Sequence, residues 1–240
     1  YYGMVNHLDR QVGRVLAALA DSGLADDTIV VYTSDHGEQL GAHGCWWKST
    51  FYEGSVGVPL IVTRPGEGEG GATCDRHVSL LDVGPTLLDL AGLEPLPGAS
   101  GRSLGGLLAD GTSPWDNRVL AEYAELGHPG GIQRMVRRDG WKLVYHHGMR
   151  PQLFDLAADP GEDVDLGASP AHADVRAALQ DEALAGWDPE AVEARLRTIT
   201  RELQLIGRWE QRTRPPEPVP CWFTTPPENR VDPKFTPKEG

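Results

Sequence analysis

Apolar residues enter the chain at helical spacing. Met4, Val5, Leu8, Val12, Val15, Leu16 and Leu19 recur every third or fourth position, with Asn6, Asp9, Arg10 and Arg14 between them. The spacing predicts an amphipathic helix, stopped by Gly23. After Asp26-Asp27 the pattern changes to Thr28-Ile29-Val30-Val31-Tyr32, β-branched and aromatic with no polar alternation. Such a run predicts a buried strand covered on both faces, as in a parallel sheet. A second β-rich stretch, Val56 to Val62 with Pro59 near its start, is expected in the same sheet.

Val78 to Leu81 reads as one more short strand. Asp82 to Ala91 reads as a helix capped by Asp82, with Pro85 in its first turn and Gly92 past its end. From Pro95 to Trp115 the chain is loop-like. Arg118 to Tyr123, Gln133 to Arg137, Trp141 to His146 and Gln152 to Leu156 then follow as short strands. Asp139-Gly140 is a hairpin signal between the second and third, and Asp159-Pro160-Gly161 ends the last. Sequential strands of this kind predict an antiparallel sheet with a helix over its apolar face. Val192, Leu196, Ile199, Leu203 and Ile206 predict a further amphipathic helix, capped by Asp188 with Pro189 at its first position. The implied organisation is an α/β part over 1–114, an antiparallel sheet and helix unit over 115–212, and a Pro-rich tail over 213–240. Trp222, Phe223 and Phe235 give that tail anchors for the body or a second subunit; the alternative is a Pro-rich interaction peptide.

Composition narrows the function classes. The 240 residues are 40% hydrophobic, enough for a sizeable core, and carry a formal net charge of −13. That charge argues against a general nucleic-acid binder, which needs Lys and Arg for phosphates. Neither a membrane-length apolar run nor an amino-terminal signal pattern is seen, so no membrane partner is expected and the default localisation is cytoplasmic. Cys45, Cys74 and Cys221 are scattered, which suggests neither a zinc ribbon nor a disulfide framework.

The chemistry concentrates where the Thr28–Tyr32 strand ends. Ser34-Asp35-His36-Gly37-Glu38 sets a carboxylate beside an imidazole where open α/β sheets keep their ligand crevice. An oxygen donor next to a nitrogen donor suits a divalent cation: calcium, magnesium, manganese or zinc. Gly37 allows a sharp turn, and Gly41 and Gly44 keep the following loop free of side-chain bulk. Lys48 adds a cation that could hold an anionic substrate or protonate a leaving group. The plainer alternative is a capped strand end, with Asp35 binding loop amides and His36 packed as a neutral ring. His146-His147, with His128 nearby in sequence, is a poor metal cluster, because adjacent strand residues point to opposite faces.

The longer stretch SDHGEQLGAHGCWWKSTFYEGSVGVPLIVTRPG, residues 34–66, resembles the sulfatase family of the alkaline phosphatase superfamily. WWKSTFYEGSVGVPLIV and the later PQLFDLAADPGE are most similar to choline sulfatases and phosphonate monoester hydrolases. The resemblance implies the C-terminal part of an alkaline phosphatase-like α/β sandwich, followed by a small antiparallel-sheet and helix subdomain. It assigns Asp35 and His36 to an active-site cation, usually calcium, with manganese or magnesium as alternatives. It assigns Lys48 to the sulfate group and makes His43 a second, substrate-side histidine. Family members attack sulfur through a formylglycine made from a Cys/Ser-x-Pro-x-Arg motif. Cys45, Cys74 and Cys221 are followed by Trp46-Trp47-Lys48, Asp75-Arg76-His77 and Trp222-Phe223-Thr224, none of which fits. The expectation is a carboxy-terminal portion of a sulfatase whose nucleophile lies outside this chain. Its substrate would be a small-molecule or glycan sulfate ester, and its tail would serve a homo-oligomer. A phosphonate monoester or phosphodiester hydrolase, or a non-catalytic piece, are the alternatives.

Overall fold

The computed structural model describes residues 1–66, 71–111, 113–127 and 131–213. In chain order the elements of the first part are α1 (Tyr2–Asp21), β1 (Val30–Thr33), α2 (Glu53–Val56), β2 (Leu60–Thr63), α3 (Val83–Leu90) and α4 (Gly105–Asp110). Then come β3 (Arg118–Ala124), β4 (Ile132–Arg138), β5 (Trp141–His146), β6 (Gln152–Asp155), α5 (Ala173–Leu184) and α6 (Pro189–Thr213). The result is a mixed α/β fold. The chain divides into two compact units, one of residues Tyr1–Pro189 and one beginning at Glu190.

β1 and β2 pair with each other, but antiparallel, with Thr33 opposite Leu60 and Val30 opposite Thr63. This corrects the parallel arrangement expected from the unbroken apolar run. An apolar run reports burial rather than direction, and β1 is only half-buried at Val30 and Val31 and exposed at Tyr32 and Thr33. Because β1 ends where β2 begins, residues 34–59 leave and re-enter the ladder at one end. Val56, expected in the second strand, closes the short helix α2 instead.

Val78 to Leu81 is not a strand. Ser79 accepts from the Leu81 amide while Asp82 Oδ2 accepts from the Ser79 amide at 2.8 Å, a capping box that turns Leu80–Asp82 into a 3-10 turn ahead of α3. Asp82 stands at the N-cap of α3 as expected, but its side chain makes no cap bond there and reaches back to Ser79, the cap of the 3-10 turn. Asp82 Oδ1 also accepts from the Arg102 amide at 3.0 Å.

The four-stranded sheet runs β3-β4-β5-β6, antiparallel throughout, and Asp139 takes the left-handed φ of 51° that the hairpin turn requires. Strand alternation gives it two apolar faces. Val136, Leu143 and Leu153 meet Leu179 and Ala183 of α5. Met135 and Val144 meet Phe51, with Val56, Ala121 and Tyr123 around them. One face therefore packs on a helix and the other on the segment that follows Lys48. A helix over this sheet was expected but not placed in the sequence, because Val175, Leu179 and Ala183 of α5 make a weak stripe. In α6, Val192, Leu196, Ile199, Leu203 and Ile206 share the predicted stripe, and Arg197 pairs with Glu193 one turn earlier. The anchors Trp222, Phe223 and Phe235, with Cys221 and His128, lie outside the described residues. No helix among the described residues is long and apolar enough to cross a membrane.

Candidate active site

β1 delivers Asp35 and His36 just past its last paired residue, and the loop that follows folds back so that Lys48 meets them. His36 Nε2 lies 3.4 Å from Asp35 Oδ2 and 2.8 Å from Lys48 Nζ. All three line one open cleft of ≈ 1290 Å³. Asp35 is 83% exposed, so its carboxylate faces solvent rather than packed interior. Desolvation pushes the Asp35 carboxyl up, but the His36 amide, the His36 ring and Lys48 outweigh it and hold the group below its ordinary value.

The His36 ring is oriented by its own backbone neighbour. Nδ1 lies 2.9 Å from the Gly37 carbonyl oxygen, which can only accept, so the Nδ1 proton is held there and the Nε2 lone pair, on the cleft side, accepts from the Lys48 ammonium. An imidazole tied to a carbonyl in this way is the usual arrangement of a metal-binding histidine. Asp35 and His36 therefore fit the role of two ligands to a divalent cation. Among the described residues no group of three or more such side chains assembles.

The loop from Glu38 to Thr50 is built on close contacts. Gly37 is needed for room rather than for a turn: a Cβ there would lie 2.1 Å from the Gly54 carbonyl oxygen, and its amide donates to Ser55 O at 2.8 Å. Glu38 Oε1 accepts from the Leu40 and Trp47 amides at 3.1 and 2.6 Å, which ties the two arms of the loop together. Buried Gln39 donates to Thr50 Oγ1 at 2.5 Å. Tyr123 on β3 contacts Glu125 and Ser49 through its hydroxyl. The motif reading missed these braces. Glu38 alone could have been suspected, because a carboxylate beside a loop of glycines has many free amides to hold.

His43 stands apart from the group of three. It sits on the 3-10 turn Ala42–Gly44 with a left-handed φ of 52°, and its ring stacks on Tyr52 at 3.8 Å and 10°. His146 is bonded to Gln152 at 3.0 Å, and His147 has begun to leave the strand.

The cleft is far less acidic than the chain as a whole. Six Lys or Arg side chains and five Asp or Glu side chains line it, a local balance unlike the −13 of the whole chain. The carboxylates are largely engaged: Asp116 holds Arg118 and Arg138, Glu122 holds Arg134, and Glu53 holds Arg137.

Comparison with known proteins places these features. The family profile described as Sulfatase matches residues 1–93. The choline-sulfatase of Rhizobium meliloti is 38% identical over 208 residues, 82% of this chain and 39% of its own length. An arylsulfatase of Clostridium perfringens is 34% identical over 169 residues, 69% of this chain and 35% of its own. The crystal structure of a phosphonate monoester hydrolase of Agrobacterium radiobacter superposes with a TM-score of 0.68 at 31% identity, covering 82% of this chain and 41% of that one. This chain thus spans well under half the length of the curated relatives it matches. With the profile, the relatives and an alkaline phosphatase-like α/β architecture in agreement, the chain belongs to the sulfatase family of the alkaline phosphatase superfamily.

Proposed function

We propose that this chain contributes one wall of the active site of a sulfuric ester hydrolase, acting on a small-molecule or glycan sulfate ester. The observation that supports this reading is the convergence of Asp35, His36 and Lys48 on one cleft, with His36 Nε2 within 3.4 Å of the carboxylate and 2.8 Å of the ammonium. Asp35 and His36 would hold a divalent cation, calcium first as the family resemblance implies, with manganese or magnesium as substitutes. When bound, such an ion supplies Lewis-acid stabilisation of the transferring group. Lys48 places a flexible ammonium where charge develops on the sulfate oxygens or the departing alkoxide, and offers that alkoxide a proton. His43 would serve the substrate side of the same loop, held by its stack on Tyr52. The nucleophile, a formylglycine, would come from outside these residues.

The likeness to a phosphonate monoester hydrolase supports a second reading, hydrolysis of phosphonate monoesters or phosphodiesters, since both tetrahedral anions suit one cation and one ammonium. The test uses the full-length polypeptide that carries this sequence, with matched aryl sulfate and aryl phosphonate substrates. The sulfatase reading expects the larger kcat/KM for the sulfate, loss of turnover on chelation, and recovery with calcium that takes more metal in Asp35→Asn. Preference for the phosphonate supports the second reading. Full turnover in the presence of chelator removes the cation from Asp35 and His36.

A further inference from the structure

Lys142 lies on β5 opposite Arg137 and Phe154 and is fully buried. Three acceptors surround its ammonium: Phe51 O at 2.8 Å, Glu162 Oε1 at 2.7 Å and Glu53 Oε1 at 2.5 Å. An ammonium has three protons, so its capacity is filled. Glu162 Oε2 accepts in turn from the Glu53 amide at 2.6 Å, and Arg137 Nη1 donates to Glu53 Oε2 at 2.6 Å. Lys142 and Glu162 pair with each other, and every other contact of the set runs from the four-stranded sheet, or the turn after it, to Phe51–Glu53. That segment begins three residues beyond Lys48.

Stability alone gives little reason for this arrangement, because a buried ion pair is often matched or bettered by apolar residues of similar volume. The loop it grips gives a better one. Trp47 and Ser49, on either side of Lys48, hold left-handed φ of 67° and 76°, and Leu40 and His43 hold 52° each. Non-glycine residues stay in that region only when their surroundings over-determine the backbone. Glu38 fixes the near arm through the Trp47 amide, and the Lys142 network fixes the far arm. Glu162 itself is left-handed at 56°, in the turn after Asp159-Pro160-Gly161.

We propose that Lys142 and Glu162 are positioning residues: their buried ion pair fixes the Phe51–Glu53 backbone and thereby aims the Lys48 ammonium into the cleft. Neither touches the reacting group. The inference rests on Lys48 as the anion contact, and it makes the antiparallel sheet a part of the catalytic apparatus rather than an appendage.

The experiment compares Glu162→Gln, which keeps the side chain's shape but removes its charge, with Leu179→Ala, which loosens the helix-covered face of the same sheet. Both are made in the full-length polypeptide and assayed at a temperature where circular dichroism shows each folded. Amide exchange over residues 49–53 and labelling of Lys48 by an amine reagent report the loop, and kcat/KM with an aryl sulfate reports its consequence. Glu162→Gln is expected to speed exchange over 49–53, change the Lys48 labelling rate, and lower kcat/KM by about a hundredfold, the usual scale for a displaced positioned group. Leu179→Ala is expected to lower Tm with none of these changes. The proposal is overturned if Glu162→Gln lowers Tm but leaves loop exchange, labelling and kcat/KM as they were, or if Leu179→Ala reproduces all three effects. Should the unsubstituted protein turn over no sulfate ester, the activity reading fails by itself, and the two loop measurements alone decide whether the network holds Lys48.

Discussion

On the proposed reading Lys48 meets the anion, and the contacts of this residue make its removal informative. Its ammonium is exposed and bonded to His36 Nε2, so replacing it leaves no buried partner behind. Lys48→Ala in the full-length polypeptide should therefore leave Tm within the small range of surface substitutions. It should lower kcat/KM for an aryl sulfate by about 10²–10³, the scale for losing one stabilising donor at a developing charge. A loss below tenfold, measured on folded protein, would remove Lys48 from the chemistry. Asp35, His36 and Lys48 were legible in the sequence because a motif states residue types in order, and the cleft brings those same types together. Glu38, Glu162 and Lys142 were not. Their roles depend on which distant backbone atoms they reach, and a lysine in a strand carries no mark of whether its face will be covered.

At the scale of elements, the site is bound to the small sheet by charge as well as by the apolar contacts of Phe51 and Val56, and the charged part has a pH signature. Burial by itself raises the Glu53 carboxyl, yet the Lys142 ammonium and the Arg137 guanidinium outweigh it and hold the group below its unfolded value of 4.5. A carboxyl whose folded value is depressed stabilises fully above its unfolded value and loses that contribution as pH falls through the folded one. Unfolding of the parent and of Glu53→Gln should thus differ clearly at about pH 7, and the difference should shrink as pH falls below 4.5. A gap that stays constant across that range would mean the pair is not linked to folding. The four short strands and their hairpin were readable because alternation and Asp-Gly chemistry are local signals. The direction of β1 and β2 was not, since an apolar run is compatible with either. The helix expected over the sheet could not be located beforehand, because Val175, Leu179 and Ala183 give α5 too weak an apolar stripe to mark it.

Taken as a whole molecule, the described residues bring together a carboxylate, an imidazole and an ammonium, and the chemistry proposed for them needs more. Calcium takes about six to eight oxygen ligands, so a cradle of one carboxylate and one imidazole would hold it weakly. Nor does any of Cys45, Cys74 and Cys221 stand in a Cys/Ser-x-Pro-x-Arg context that would yield the nucleophile. The 240 residues expressed alone are therefore expected to give no turnover of an aryl sulfate, even where circular dichroism shows them folded and calcium is supplied in excess. In the same preparation, calcium titrated by calorimetry should bind weakly or below detection, and Asp35→Asn should abolish whatever heat is seen. Turnover by this chain alone, abolished by Lys48→Ala, would mean that a nucleophile lies within it after all, and the search would move to the serines and threonines beside the cleft, Ser49 and Thr50 first.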